Sequence, residues 1–240
     1  MSEHSFSPAW RAQPLGRRGF LRVSAASAAT VALLATTGCG NTTLPTPIVV
    51  DPYQLALPKD DTGLRYYAYL LAVAQATLYQ KVLDTPPSDL TTPERAILED
   101  MRDHEVIHRE LLKYIISPAT FPADFAFKLT SFTLTTRTGV LAAAQQLADL
   151  AAAAYPVLLP LVVDTSTRAL LLKIASVYAR HSATVRDLIT PGSFANDDVV
   201  ANTGLLAGQA ITKNPTEVMA ALAPYFAPYV ISVVNLPIPV

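Results

Sequence analysis

Two segments of the chain carry histidine at the same place in the same apolar stripe. One runs Met101, Glu105, His108, Leu112 and Ile115; the other runs Ile174, Tyr178, His181, Val185 and Leu188. Both follow an i, i+4, i+7, i+11, i+14 spacing, which on an α-helix keeps all of these side chains on one face. The rest of the face is apolar, so Glu105, His108 and His181 point where a helix normally buries leucine. An ionisable side chain in a core is costly unless it is paired, hydrogen-bonded or bound to metal. The pattern therefore leaves two chemistries open: metal ligation and a buried polar network.

Glu-x-x-His projecting inward from each of two helices is the ligand plan of dinuclear carboxylate bundles. Here the first copy is complete as Glu105-Val106-Ile107-His108, whereas the second reads Tyr178-Ala179-Arg180-His181. Glu105, His108 and His181 still make the two-histidine, one-carboxylate combination of mononuclear iron and some zinc sites, to which Gln75 would add an amide oxygen and Tyr178 a phenol. The metal-free alternative is Glu105 hydrogen-bonded to His181 or Tyr178 across a bundle, which satisfies the buried polar groups without an ion. Asp149 is turned away from the inward face by about 100° and is not expected to contribute. His104 borders the stripe and reads as an exposed or half-buried histidine, the alternative being a group that supports the inward set from outside it. No nucleophile elbow, phosphate-binding glycine loop or cysteine metal cluster is present.

Four long amphipathic helices must position these residues. The first spans about 62–83, with Leu64, Tyr67, Leu71, Gln75, Leu78 and Val82 at three-to-four spacing. Thr91-Thr92-Pro93-Glu94 opens the second, with a capping hydroxyl, proline in the first turn and glutamate after it, and Ser117-Pro118 stops it near Ile116. A loop rich in Phe and Pro follows to about Phe132 and should fold over one end of the bundle. The third helix is expected from Thr136 to Tyr155, ending at Pro156, and the fourth from Thr165 to Ile189, ending at Pro191-Gly192. Asn214-Pro215-Thr216-Glu217 caps a short helix to about Ala223, and an irregular or extended tail follows from Tyr229.

Ahead of the helices stands an address. Arg17-Arg18-Gly19-Phe20-Leu21-Arg22 precedes the apolar stretch Val23 to Thr37 and resembles the twin-arginine export signal of bacteria. The apolar stretch falls short of the roughly 18–20 residues of a membrane-spanning helix. The sequence thus divides into a signal segment (1–38), a Thr/Pro-rich tether or extended arm (39–60) and a helical domain (61–235), placed in the periplasm or cell envelope. Cys39, the only cysteine, follows Gly38 where a lipoprotein-processing box places its acylated residue, which would anchor the protein to a membrane; ordinary signal-peptide cleavage nearby is the alternative. Removing residues 1–38 takes away four arginines and one glutamate, leaving 14 basic and 18 acidic residues and a net charge of −4. With no basic run left, nucleic acid is excluded as an expected partner.

Three stretches, Asp103-His104-Glu105-Val106-Ile107-His108, Ala179-Arg180-His181 with Arg186-Asp187-Leu188, and Ala144-Gln145-Gln146-Leu147 before Asp149, resemble the exported bacterial ferritin-like domain proteins, which are similar to desiccation-associated proteins. The resemblance implies an all-α, ferritin-like four-helix bundle with a long connection between helices two and three. It also implies six ligands for a dinuclear iron site. Of these, Glu105, His108 and His181 are kept, while Gln75, Ala148 and Tyr178 stand where glutamates are implied.

Two function classes stay open. The first is a non-catalytic structural, protective or interaction protein of the envelope with a degenerate metal site and no cofactor. The second is an oxidoreductase or metal-handling protein using a reduced Glu105/His108/His181 site with one iron, manganese or zinc ion. The sequence favours the first, and it identifies neither a protein partner nor an oligomeric state.

Overall fold

The computed structural model describes residues 51–116 and 125–237. The signal segment, Cys39 and the remainder of 1–50 lie outside the described residues, as do 117–124 and 238–240. The chain order is β1 (Gln54–Ala56), α1 (Asp61–Asp84), α2 (Thr92–Ile116), α3 (Arg137–Leu158), α4 (Thr165–Ile189), α5 (Pro215–Phe226) and β2 (Val230–Ser232), with short 3-10 turns at Leu159–Leu161 and Ser193–Ala195. Each long helix begins on a side-chain cap that spares an orphan backbone N–H. Asp60 accepts from Thr62 N–H, Thr136 from Gly139 N–H and Asp164 from Thr167 N–H. Thr91 and Glu94 cap α2 reciprocally, as do Asn214 and Glu217 at α5.

The helices pack as two hairpins, α1 along α2 and α3 along α4, with α1 against α3 and α2 against α4 closing the bundle. Polar contacts at the two ends fix the directions. Arg65, in the first turn of α1, donates to Thr167 Oγ1 (2.9 Å) at the start of α4. At the opposite end Arg137, opening α3, donates to Glu94 Oε1 (2.7 Å) in the first turn of α2 and to the Leu188 carbonyl (2.9 Å) in the last turn of α4. Thus α2 and α3 start together and run parallel, so the chain joining them must travel the length of a helix of about 37 Å. That is the long crossover expected between helices two and three. The interior of the bundle is continuous, and α1 is buried on most of its circumference because Ala68, Ala72, Ala74 and Ala76 let its neighbours approach closely. Among the described residues no helix is long and apolar enough to cross a membrane.

Two helix ends differ from expectation. Helix α3 runs through Pro156 to Leu158, because buried Tyr155 and Leu158 hold its last turn in place and proline there forfeits only one hydrogen bond near the helix end. Helix α5 passes Ala223 and Pro224 to reach Phe226 for the same reason, since Tyr225 and Phe226 are buried. Phe125, Phe127 and Phe132 of the crossover pack ring against ring on Tyr225 and Phe226 of α5. The tail, expected as irregular or extended chain, is extended at Val230–Ser232, where it pairs in parallel with Gln54–Ala56, Gln54 opposite Val230, and Leu57 beside them is in the core.

The Glu94–Arg137 pair supplies a pH test. The Arg137 guanidinium holds the Glu94 carboxyl down to about 2, against desolvation that would raise it, with the Thr91 hydroxyl and N–H adding to the lowering. A depressed folded-state value stabilises the fold above the unfolded value, so this contribution should be lost as pH falls from about 4.5 towards about 2. Arg137→Ala is expected to cost on the order of 1 kcal/mol at neutral pH, because Arg137 is partly solvated. It should also flatten the stability profile across that window. Denaturant midpoints of parent and variant at pH 7 and pH 3 check it, and parallel profiles would refute the assignment.

Candidate functional site

The two stripes meet in the middle of the bundle. Glu105 and His108 enter from α2 and Tyr178 and His181 from α4, all four buried, with Glu105 at 0 % exposure. The Tyr178 hydroxyl donates to Glu105 Oε2 at 2.7 Å across the helix pair. His181 Nδ1 lies 3.1 Å from Glu105 Oε1, and His108 Nδ1 lies 3.6 Å from Glu105 Oε2. The His108 contact is too long for a hydrogen bond and the His181 contact does not make one, so Glu105 Oε1, His108 Nδ1 and His181 Nδ1 are buried without a hydrogen-bond partner.

Electrostatics favour a charged carboxylate here in spite of its burial. Desolvation alone pushes the Glu105 carboxyl up, but the nearby His108 and His181 rings outweigh it and hold the group below its ordinary value. The same burial drives the phenols the other way. Tyr79, Tyr155 and Tyr178 are raised above the ordinary tyrosine value by desolvation and then by the Glu105 charge, which keeps them neutral donors. Tyr155 and Tyr178 pack ring to ring at 5.1 Å, and Tyr178 lies 5.6 Å from the His108 ring. The phenol rings thus fill space beside the carboxylate.

Gln75 of α1 is also buried, and both of its amide atoms lack a hydrogen-bond partner. Ala148 of α3 is closed off completely. Among the described residues, no three His, Cys, Asp or Glu side chains stand in an arrangement that holds a metal ion.

Two neighbours take roles that the stripe alone did not assign. His104, exposed on α2, reaches over α4 so that its Nδ1 lies 3.2 Å from His181 Nε2, with the two rings stacked. It gives the buried His181 a polar contact facing solvent. Asp149 does turn away from the polar core, as its one-residue offset requires, and accepts from Ser182 and from Arg186 of α4. The sequence signal for that pair is opposite charge one residue past Ala148 on α3 and one residue past Val185 on α4.

Comparison with known proteins bears on the fold that carries this cluster. No curated protein and no solved structure matches the chain. The family model described as a ferritin-like domain matches residues 60–191, the span that holds all four long helices and every member of the polar core. With that match and the parallel α2–α3 crossover, the chain belongs to the ferritin-like domain family.

Proposed function

We propose that this protein is an exported ferritin-like bundle whose former metal cavity has become a structural polar cluster, and that it serves the cell envelope as a structural, protective or interaction protein. The observation that carries this reading is the hydrogen bond from Tyr178 to Glu105, made where the ligand plan would put a second carboxylate. A dinuclear ferrous centre does not fit these residues. It brings four positive charges into a dry core, Glu105 alone answers with one negative charge, and Gln75, Ala148 and Tyr178 add none. Elemental analysis of protein folded in the presence of iron, manganese and zinc should find one equivalent or less. Two tightly held ions per chain, lost in Glu105→Ala, would overturn the reading.

One observation favours a second reading, a single bound ion. Glu105 Oε1, His108 Nδ1 and His181 Nδ1 are each buried without a hydrogen-bond partner, and a two-histidine, one-carboxylate set is chemically adequate for iron or zinc once these side chains draw together into a ligand geometry, with the Gln75 amide oxygen as a further donor. One stoichiometric ion, released by His108→Ala and by His181→Ala, would select it over the metal-free cluster.

Export and anchoring rest on the sequence of the leader. In this proposal residues 1–38 are removed and Cys39 becomes the acylated first residue of the mature chain, with two lipids on that cysteine giving the stable anchoring that one chain does not. Mass spectrometry of the amino terminus from native envelope tests it. An unmodified terminus at another residue, on soluble protein, excludes it.

A further inference from the structure

Between Asp198 and Lys213 the chain runs for fourteen residues, Val199 to Thr212, without a charge, and it does so beyond residue 191 where the family match ends. The segment is a hairpin fastened to the bundle at both feet. Ile211 N–H donates to the Val199 carbonyl (2.8 Å), Ala201 N–H to the Gln209 carbonyl (2.9 Å) and Gly208 N–H to the Ala201 carbonyl (2.7 Å). Gly204 and Gly208 supply the left-handed turn positions, with φ of +78° and +79°. At one foot both Asp198 oxygens accept from buried Arg186 of α4 (2.9 and 2.6 Å), the guanidinium that also holds Asp149. At the other, Lys213 N–H donates to the Ala153 carbonyl of α3 (2.9 Å).

The apex of this hairpin carries Leu205, fully exposed, and Leu206, 62 % exposed. A single exposed leucine needs no explanation, but two in a row on a fastened hairpin are held off the domain, where a slack loop would fold them down. A strap over α3 and α4 would need the feet alone; it would need no apolar apex. Two leucines bring roughly 200 Å² of apolar side chain, well short of the roughly 1,000 Å² that a specific protein interface needs. A lipid surface needs no matching shape. It admits segments that are uncharged and that satisfy their own backbone groups, and here Ala207 N–H donates to the Gly204 carbonyl (3.3 Å) and Gln209 N–H to the Leu206 carbonyl (2.9 Å).

We infer that Leu205 and Leu206 form a membrane-contact tip, inserting shallowly into the lipid surface to which the mature protein is tethered. The inference rests on the export reading, with Cys39 as the first residue, and its test supplies the anchor chemically so that the two fail separately. Cys39 is the only cysteine, and Trp10, the only tryptophan, leaves with residues 1–38. The mature chain can therefore be coupled at Cys39 to a maleimide carrying one myristoyl chain, an anchor that is marginal by itself, and an introduced tryptophan is its sole reporter. On phosphatidylcholine vesicles the emission of Leu206→Trp should shift to the blue and be lost to chain-brominated lipid. Tyr114→Trp, at an exposed position of α2 in the other helical hairpin, should do neither. Leu205→Asp combined with Leu206→Asp should weaken vesicle binding of the coupled chain about tenfold, because the second attachment is lost, at an unchanged melting temperature. An unquenched Leu206→Trp on chain that floats with the vesicles, equal quenching of the two reporters, or full binding by the aspartate pair would each overturn the proposal. Mass spectrometry of the native amino terminus decides acylation separately.

Discussion

Replacing Gln75, Ala148 and Tyr178 together by glutamate is expected to turn a metal-indifferent bundle into one that needs metal to stay folded. Without an ion, the variant would cluster four carboxylates where the parent has one, and they would raise one another's pKa values by repulsion. Each additional buried carboxylate costs several kcal/mol, which would consume most of the 5–15 kcal/mol, roughly, that holds a domain together. Local packing sharpens the expectation. Tyr178→Glu vacates the ring volume between Tyr155 and His108, whereas Ala148→Glu adds bulk at a position with 0 % exposure. Ferrous or manganous ion at about a thousand times its Kd would return about 4 kcal/mol, a rise in melting temperature on the order of 10 °C for a domain of this size. The parent should shift little. Thermal melts with and without metal decide the matter, and a triple variant with no metal-dependent rise would mean that the three positions do not converge on one cavity.

Nearly as large an effect is expected from a single change at the centre of the cluster. Glu105→Ala removes the acceptor of the Tyr178 hydroxyl and the charge beside two buried imidazoles, and opens a cavity at a fully closed position. Stranding three polar groups in this way should cost about 3–5 kcal/mol. Glu105→Gln keeps an oxygen for Tyr178 and should lose less than half of that, while Tyr178→Phe removes one hydroxyl and should cost about 1–2 kcal/mol. Denaturant titrations of Glu105→Ala, Tyr178→Phe and the double variant would measure the coupling directly. If Glu105→Ala were as stable as the parent, the cluster would not be what holds the middle of the bundle together.

The four helices and the inward set could be read from the sequence because both depend on local period. Glu105, His108, Tyr178 and His181 share one spacing, and a helical face is fixed by spacing alone. Starts were legible at Thr91 and Asn214, where capping residues announce themselves within four positions. The ends before Pro118 and Pro191 were legible too, but those at Pro156 and Pro224 were not, since these prolines are tolerated only because Tyr155, Leu158, Tyr225 and Phe226 around them are buried, a fact of tertiary packing. The triad of Asp149, Arg186 and Asp198 was invisible for a related reason: its third member sits in an irregular segment with no period to say which helix it will meet. Residues Gln54–Ala56 gave no strand signal, because so short a strand is defined by its partner.

That partner sits at the far end of the domain. Pairing β1 with β2 closes nearly the whole described chain into a loop, and closing the largest loop is rewarded only after the intervening helices have condensed. The seam is therefore the last part of the fold to form and the first to open. Its few backbone bonds, such as Val230 N–H to the Tyr53 carbonyl and Leu57 N–H to the Ser232 carbonyl, can break without disturbing the bundle. Because the paired strands bracket the described helices in sequence, parting the seam would release both strands together and leave the four-helix interior closed.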